Sequence, residues 1–126
     1  MKECIFCEKK ANKETVLEND LAFAVYDKYP VNEGHMLIVP KRHYENYFDS
    51  SSEELLCLND MLCQARALLE ESYQPDGYNI GINVGKDAGQ TIDHLHIHLI
   101  PRYEGDVENP AGGVRRLKEQ LVHYDG

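Results

Sequence analysis

The sequence predicts an α+β domain in which a mainly antiparallel five-stranded sheet is backed by one long helix, with a shorter helix near the C-terminus. Three observations carry this expectation. Five short apolar runs are separated by tight-turn residues, one stretch of helical periodicity lies between the third and fourth runs, and the chain has 126 residues. That length supports one core but not two, so residues 1–126 are expected to form a single domain.

The first two strands are expected at Thr15–Leu17 and Leu21–Tyr26, joined by Glu18-Asn19-Asp20, because Asn and Asp suit tight turns. A polar loop is expected before them, after Cys4-Ile-Phe-Cys7. Met36–Val39 reads as a short buried strand stopped by Pro40. Ser51-Ser-Glu-Glu54 then has the S-x-x-E form of a capping box. Behind it Leu55, Leu58, Met61, Leu62, Ala65, Leu68 and Leu69 recur at helical spacing, so the long helix should run to about Tyr73 and stop before Pro75-Asp76-Gly77. Tyr78–Val84 is the fourth strand, Gly85–Gln90 a turn, and His94–Ile100 the fifth strand, stopped by Pro101. A weak helical run around Leu117–Leu121 supplies the short C-terminal helix.

The totals narrow the function classes. A net charge of −9 argues against a broad nucleic-acid surface, which needs clustered Lys and Arg. A small anionic ligand needs only a local site and is not excluded. No apolar run reaches the length of a membrane span, and Met1-Lys2-Glu3-Cys4 lacks a signal peptide's apolar segment, so a cytoplasmic location is expected. In that compartment the four cysteines are thiols or metal ligands before they are disulfides.

Three of the six histidines fall at every second position in His94-Leu-His96-Ile-His98-Leu99. Such alternation puts the imidazoles on one face of a strand and Leu95, Ile97 and Leu99 on the other, toward the core and the helix. Three imidazoles on one face pack poorly when neutral and repel when protonated, so a purely structural role accounts for them badly. Two chemistries remain open: zinc bound by the triad, activating water, and an imidazole nucleophile. Asn83, Gln90 and Thr91 nearby are amides and a hydroxyl, better suited to phosphate oxygens than to a metal, although each could instead close a turn.

The run Gly89-Gln-Thr-Ile92 before the triad and Pro101-Arg102 after it, with Asn32-Glu-Gly-His35-Met-Leu-Ile-Val-Pro-Lys41 upstream, resembles the histidine-triad (HIT) nucleotide hydrolases and transferases from Cys4 to about Arg102. The resemblance implies a HIT-like fold and a likeness to diadenosine polyphosphate hydrolases. His96 would attack the α-phosphorus of a nucleotide, a purine nucleoside phosphate, while its other ring nitrogen is held by the backbone carbonyl of His94. His98 would donate to the α-phosphate oxygens and His35 would orient it. Asn83, Gln90 and Thr91 would contact phosphate, with Gln90 toward the bridging oxygen and Thr91 supplying the leaving group's proton. Asp27 would hold the ribose, and Ile5, Phe6 and Val25 the base. Arg102 and Arg115 are either contacts to a distal phosphate or solvated charges. No catalytic metal is required, magnesium entering only with a polyphosphate substrate, and homodimers are expected.

Cys4-x-x-Cys7 has metal-type spacing, but no second pair follows, since Cys57 and Cys63 lie on different faces of the long helix. Free thiols, a redox pair and a zinc site are the readings open, and a thioredoxin-like pair lacks a preceding strand. Some bacterial HIT proteins, which this chain resembles, join such a pair to two histidines. Here these would be His43 and His94, giving a closed Cys2His2 structural zinc. Three functions remain open: a nucleotide hydrolase, a nucleotide-binding regulatory module without catalysis, and a hydrolase with zinc on the triad itself.

Overall fold

A computed structural model describes residues 4–118. It contains α1 (Ile5–Ala11), β1 (Leu17–Glu18), β2 (Ala22–Tyr26), β3 (Met36–Pro40), α2 (Ser52–Ser72), β4 (Gly77–Gly81) and β5 (Ile97–Arg102). The five strands form one antiparallel sheet in the order β1-β2-β3-β5-β4. This is the α+β architecture expected from the sequence.

The two faces of the sheet bury different things. Ala22, Ala24, Met36, Ile38, Ile97 and Leu99 point to one side and pack with Leu58, Met61, Ala65 and Leu69 of α2. The capping box that opens α2 is complete: Glu54 N–H donates to Ser51 Oγ (3.1 Å) and Ser51 N–H to Glu54 Oε1 (2.9 Å). On the other side Phe23, Val25, Leu37 and Val39 pack with Phe6 of α1. Because Leu37 pairs with His98 in register, this second face also carries the histidines.

Several boundaries differ from the sequence expectation for local reasons. β1 is Leu17–Glu18 and not Thr15–Leu17, because Glu18 pairs with Phe23 in the sheet and leaves the turn to the residues after it. The residues after Cys7, expected as a polar loop, continue the helix α1 as far as Ala11; its one buried residue, Phe6, leaves too faint an apolar repeat to read. β4 ends at Gly81 and not Val84, since its partner strand begins only at Ile97. The histidine strand likewise starts at Ile97, because Leu95 N–H bonds the Tyr44 carbonyl (2.7 Å) and not a sheet neighbour. Pro101 does not stop it. The β3 ladder ends at Leu99, and the Pro101 carbonyl, accepting from Asn32 Nδ2 (3.0 Å), faces that vacated side, so the missing N–H forfeits no ladder bond. The short helix expected around Leu117–Leu121 lies outside the described residues from 119 onward; before it the chain makes a 3-10 turn at Gly113–Arg115.

After β5 the chain is clamped back onto the sheet. Asp106 accepts from Arg102 Nε (2.7 Å), Arg102 Nη2 (2.8 Å) and Asn32 Nδ2 (2.8 Å). The guanidinium and the Tyr103 N–H hold its carboxyl far below the usual carboxylate range. Arg102 also donates to Asn79 on β4 (2.6 Å), so among the described residues its fork serves the fold.

Candidate active site and metal centre

The three triad residues follow the turn around Thr91, His94 at a bend, His96 just before β5 and His98 within it, and each imidazole has a distinct set of partners. His96 Nδ1–H donates to the His94 carbonyl (2.9 Å). A carbonyl only accepts, so in the neutral ring the lone pair sits on Nε2. The Phe6 and His98 rings each lie 5.1 Å from the His96 ring between centroids. His96 is 8% exposed, consistent with a ring held in place with little more than one edge accessible.

His98 is fixed by a proton relay that begins in the backbone. Val31 N–H donates to His35 Nδ1 (3.0 Å), so neutral His35 carries its proton on Nε2. That N–H points to His98 Nδ1 (3.0 Å) and also to Asp27 Oδ2 (3.3 Å). His98 therefore keeps its own proton on Nε2, as a donor. Burial, with the neighbouring His96 and His35 rings, pushes the His98 pKa down to about 4, and burial lowers that of His35 against the pull of Asp27. Both rings are neutral near pH 7.

Asp27, His35 and His98 bring three ligand atoms within 4.8 Å of one another. This looks like a metal site, but its chemistry is wrong for one. His35 Nε2 must keep its hydrogen while the Val31 amide occupies Nδ1, so it has no lone pair to offer.

The second grouping has the chemistry the first lacks. Sγ of Cys4 and Cys7 and Nδ1 of His43 and His94 also lie within 4.8 Å of one another. Cys4 Sγ is 3.3 Å and Cys7 Sγ 3.7 Å from His94 Nδ1, Cys7 Sγ is 3.5 Å from His43 Nδ1, and the two nitrogens are 3.1 Å apart. A zinc tetrahedron with Zn–S of about 2.3 Å and Zn–N of about 2.0–2.1 Å sets S···N at about 3.5 Å and N···N at about 3.3 Å. The donors fit that ion. His94 Nε2–H donates to the Pro40 carbonyl (2.8 Å), leaving Nδ1 as the ligating nitrogen. Burial and the adjacent Cys4 raise the Cys7 thiol, so the sulfurs resist ionising together until a cation lies between them.

The remaining expected site residues scatter more widely. A cleft of about 370 Å³ beside the metal cluster is lined by Cys4, Ile5, His43, Glu45, Thr91, Ile92 and Asp93. A second, of about 450 Å³, shares Glu45, Thr91 and Asp93 and reaches Gly85–Gln90. Gln90 shapes this turn: Oε1 accepts from Gly85 N–H (2.9 Å), and Nε2 donates to the carbonyls of Glu45 (3.0 Å) and Ile92 (3.1 Å). A contact with a bridging oxygen would require Gln90 Nε2 to leave those carbonyls. Asn83 faces the same turn, its Nδ2 3.9 Å from where a Cβ on Gly89 would lie. Phe6 and Val25 are each 1% exposed and belong to the packed cluster, whereas Ile5, 41% exposed, lines the first cleft. Arg102 is bound to Asp106 on the clamped tail, and Arg115 lies on the 3-10 turn beyond.

The groups that sequence reasoning missed are mostly backbone. The Val31 N–H and the Pro40 and Tyr44 carbonyls leave no mark in a side-chain pattern. Only Arg42, between Lys41 and His43, offered a side-chain signal.

The family model described as "HIT domain" matches residues 8–105. An uncharacterized HIT-like protein of Methanocaldococcus jannaschii is 43% identical over 111 residues, covering 83% of each chain. A bis(5'-adenosyl)-triphosphatase of Dictyostelium discoideum is 38% identical over 96 residues, covering 76% of this chain and 64% of its own length. The crystal structure of a Zn-bound histidine triad family protein from Mycobacterium smegmatis superposes with a TM-score of 0.76 at 30% identity, covering 85% of this chain and 80% of that one.

Proposed function

The chain belongs to the HIT domain family, and from that membership we propose that it is a nucleotide hydrolase acting at the α-phosphate of a dinucleoside polyphosphate or nucleoside phosphoramidate. The observation that carries this reading is the His96 Nδ1–H bond to the His94 carbonyl, which leaves Nε2 as the free nucleophile.

In the first step His96 Nε2 bonds to the α-phosphorus, and the bond to the leaving oxygen or nitrogen breaks with its electron pair. The leaving group takes a proton from the Thr91 hydroxyl on the cleft wall, and the proton lost by the attacking water in the second step restores that hydroxyl. His98 Nε2–H faces the α-phosphate oxygens, offering a neutral donor where negative charge accumulates. Asp27 still has oxygen lone pairs beyond those used by Tyr29 N–H and His35, enough to accept from ribose hydroxyls. Water then displaces Nε2, and the nucleoside monophosphate leaves.

The zinc suited to Cys4, Cys7, His43 and His94 has no open position in a closed four-ligand site and serves structure. Homodimeric assembly belongs to the same reading, and gel filtration tests it.

The decisive experiment is intact-mass analysis after brief exposure to a dinucleoside polyphosphate or adenosine phosphoramidate, quenched without acid. The wild type should carry one nucleotidyl adduct, and His96→Ala should carry none while still binding nucleotide. Retained turnover in His96→Ala would exclude His96 as the nucleophile. Nucleotide binding by the wild type with neither adduct nor turnover would mark a binding module instead.

A further inference from the structure

The peptide unit between His94 and Leu95 is held at both ends. Its carbonyl receives the Nδ1–H of His96 (2.9 Å), and its N–H, pointing the opposite way in a trans peptide, donates to the Tyr44 carbonyl (2.7 Å). The direction in which the acceptor faces His96 is thus set by Tyr44, on a different segment. The same segment grips the His94 ring twice more. The Pro40 carbonyl accepts from Nε2 (2.8 Å), and His43 Nδ1 sits 3.1 Å from His94 Nδ1 as the neighbouring ligand atom.

The β3 ladder with β2 ends at Pro40, the Lys41 N–H still bonds the Leu21 carbonyl (2.8 Å), and residues 42–44 then leave the sheet and need a further brace. Arg42 supplies it. Its Nε and Nη2 donate to Glu54 Oε2 (3.0 Å) and Oε1 (2.8 Å), Nη2 also reaches the Asp49 carbonyl (3.1 Å), and the guanidinium lies 4.0 Å from the centre of the Tyr44 ring. The Glu54 side chain is only 6% exposed and is anchored in the first turn of α2, so the fork is tied to the most regular element of the fold.

We propose that Arg42 is a positioning residue for both the zinc centre and His96: pinned by Glu54, it orients the Pro40–Tyr44 segment that aims His94 at the ion on one side and at the nucleophile on the other. For its effect on catalysis the inference rests on the function proposed above; for its effect on the metal centre and on the His96 proton it stands alone.

The test uses the zinc-loaded full-length protein and three variants, Arg42→Gln, Arg42→Lys and Glu54→Gln. The last keeps an oxygen that can close the α2 capping box while removing the charge that holds Arg42. Zinc release to a chromophoric chelator and long-range nitrogen–proton NMR of the His96 ring are read beside circular dichroism. Direct outer partners of metal-bound histidines, here the Pro40 carbonyl, are commonly worth about 10–100-fold, and Arg42→Gln, which acts through that segment, should release zinc faster by up to about tenfold. It should also populate the tautomer with the His96 proton on Nε2, and lower kcat with little change in KM. Glu54→Gln should do the same with α2 intact, and Arg42→Lys, which cannot make the two-point contact, should recover less than half of the effect. Zinc release and a His96 tautomer unchanged from wild type in Arg42→Gln would overturn the proposal, whatever happens to thermal stability. Absence of turnover in the wild type counts against the proposed function alone, since the metal and NMR comparisons decide the role of Arg42 without it.

Discussion

Replacing Gly34 with alanine should damage the fold immediately before His35, and the cost can be worked out from the geometry. Gly34 has φ +88°, in the left-handed region, and a Cβ there would lie 3.0 Å from Leu69 Cδ2, 3.1 Å from Tyr73 Cδ2 and 3.2 Å from Pro101 Cγ. The backbone conformation costs a non-glycine residue about 1–2 kcal/mol. Crowding three side chains on the α2 side of the sheet adds about 1–3 kcal/mol, because Leu69 is fully buried and has little room to retreat. The sum is about 2–5 kcal/mol. With an unfolding entropy of about 2.1 cal/mol/K per residue, a chain of 126 residues should melt about 8–19 °C lower. Urea unfolding followed by circular dichroism measures the difference, with Gly77→Ala as control, since a Cβ at Gly77 meets nothing within 4 Å. The control should stay within about 1 kcal/mol of wild type. A Gly34→Ala protein equally close to wild type would refute both the conformational and the steric argument.

Three further outcomes are expected. The Cys4→Ser, Cys7→Ser double variant should lose its stoichiometric zinc and melt lower, and metal analysis showing retained zinc would reassign the ligands. Phe6→Ala should cost about 3–5 kcal/mol in urea unfolding and loosen the His96 ring, because the side chain is buried against both His94 and His96. His98 should titrate by NMR near 4 in place of its ordinary 6.5. Its folded pKa lies below the unfolded one, so its contribution to stability is fully present above about 6.5 and is lost as pH falls toward 4; a midpoint at or above 6.5 would contradict the Val31–His35–His98 relay.

Much of the molecule was legible before any coordinates. The period-two histidines placed Leu95, Ile97 and Leu99 in the α2 core and the rings on the opposite side, and Ser51 with Glu54 marked the start of α2. The four-residue metal grouping of Cys4, Cys7, His43 and His94 forms as the family resemblance implied. What failed to show had local causes. The α1 helix buries one residue, so no periodicity announces it. Pro101 reads as a terminator unless one knows that its missing N–H faces a strand already ended. Phe6 and Val25 pack into one buried cluster while Ile5 faces a cleft, a division among apolar residues that pattern alone does not show. The backbone groups that fix three imidazole tautomers carry no residue signature.

Cys4 and His94 stand 90 positions apart along the chain. During synthesis two thiols emerge first, an imidazole follows just after the third strand, and the fourth donor comes 51 positions later. Ring closure over that span carries a loop entropy that packing of the intervening strands and the metal–ligand bonds together offset. Residues 4–43 hold only three of the four donors, so a closed shell around zinc depends on the histidine row having reached its place beside them.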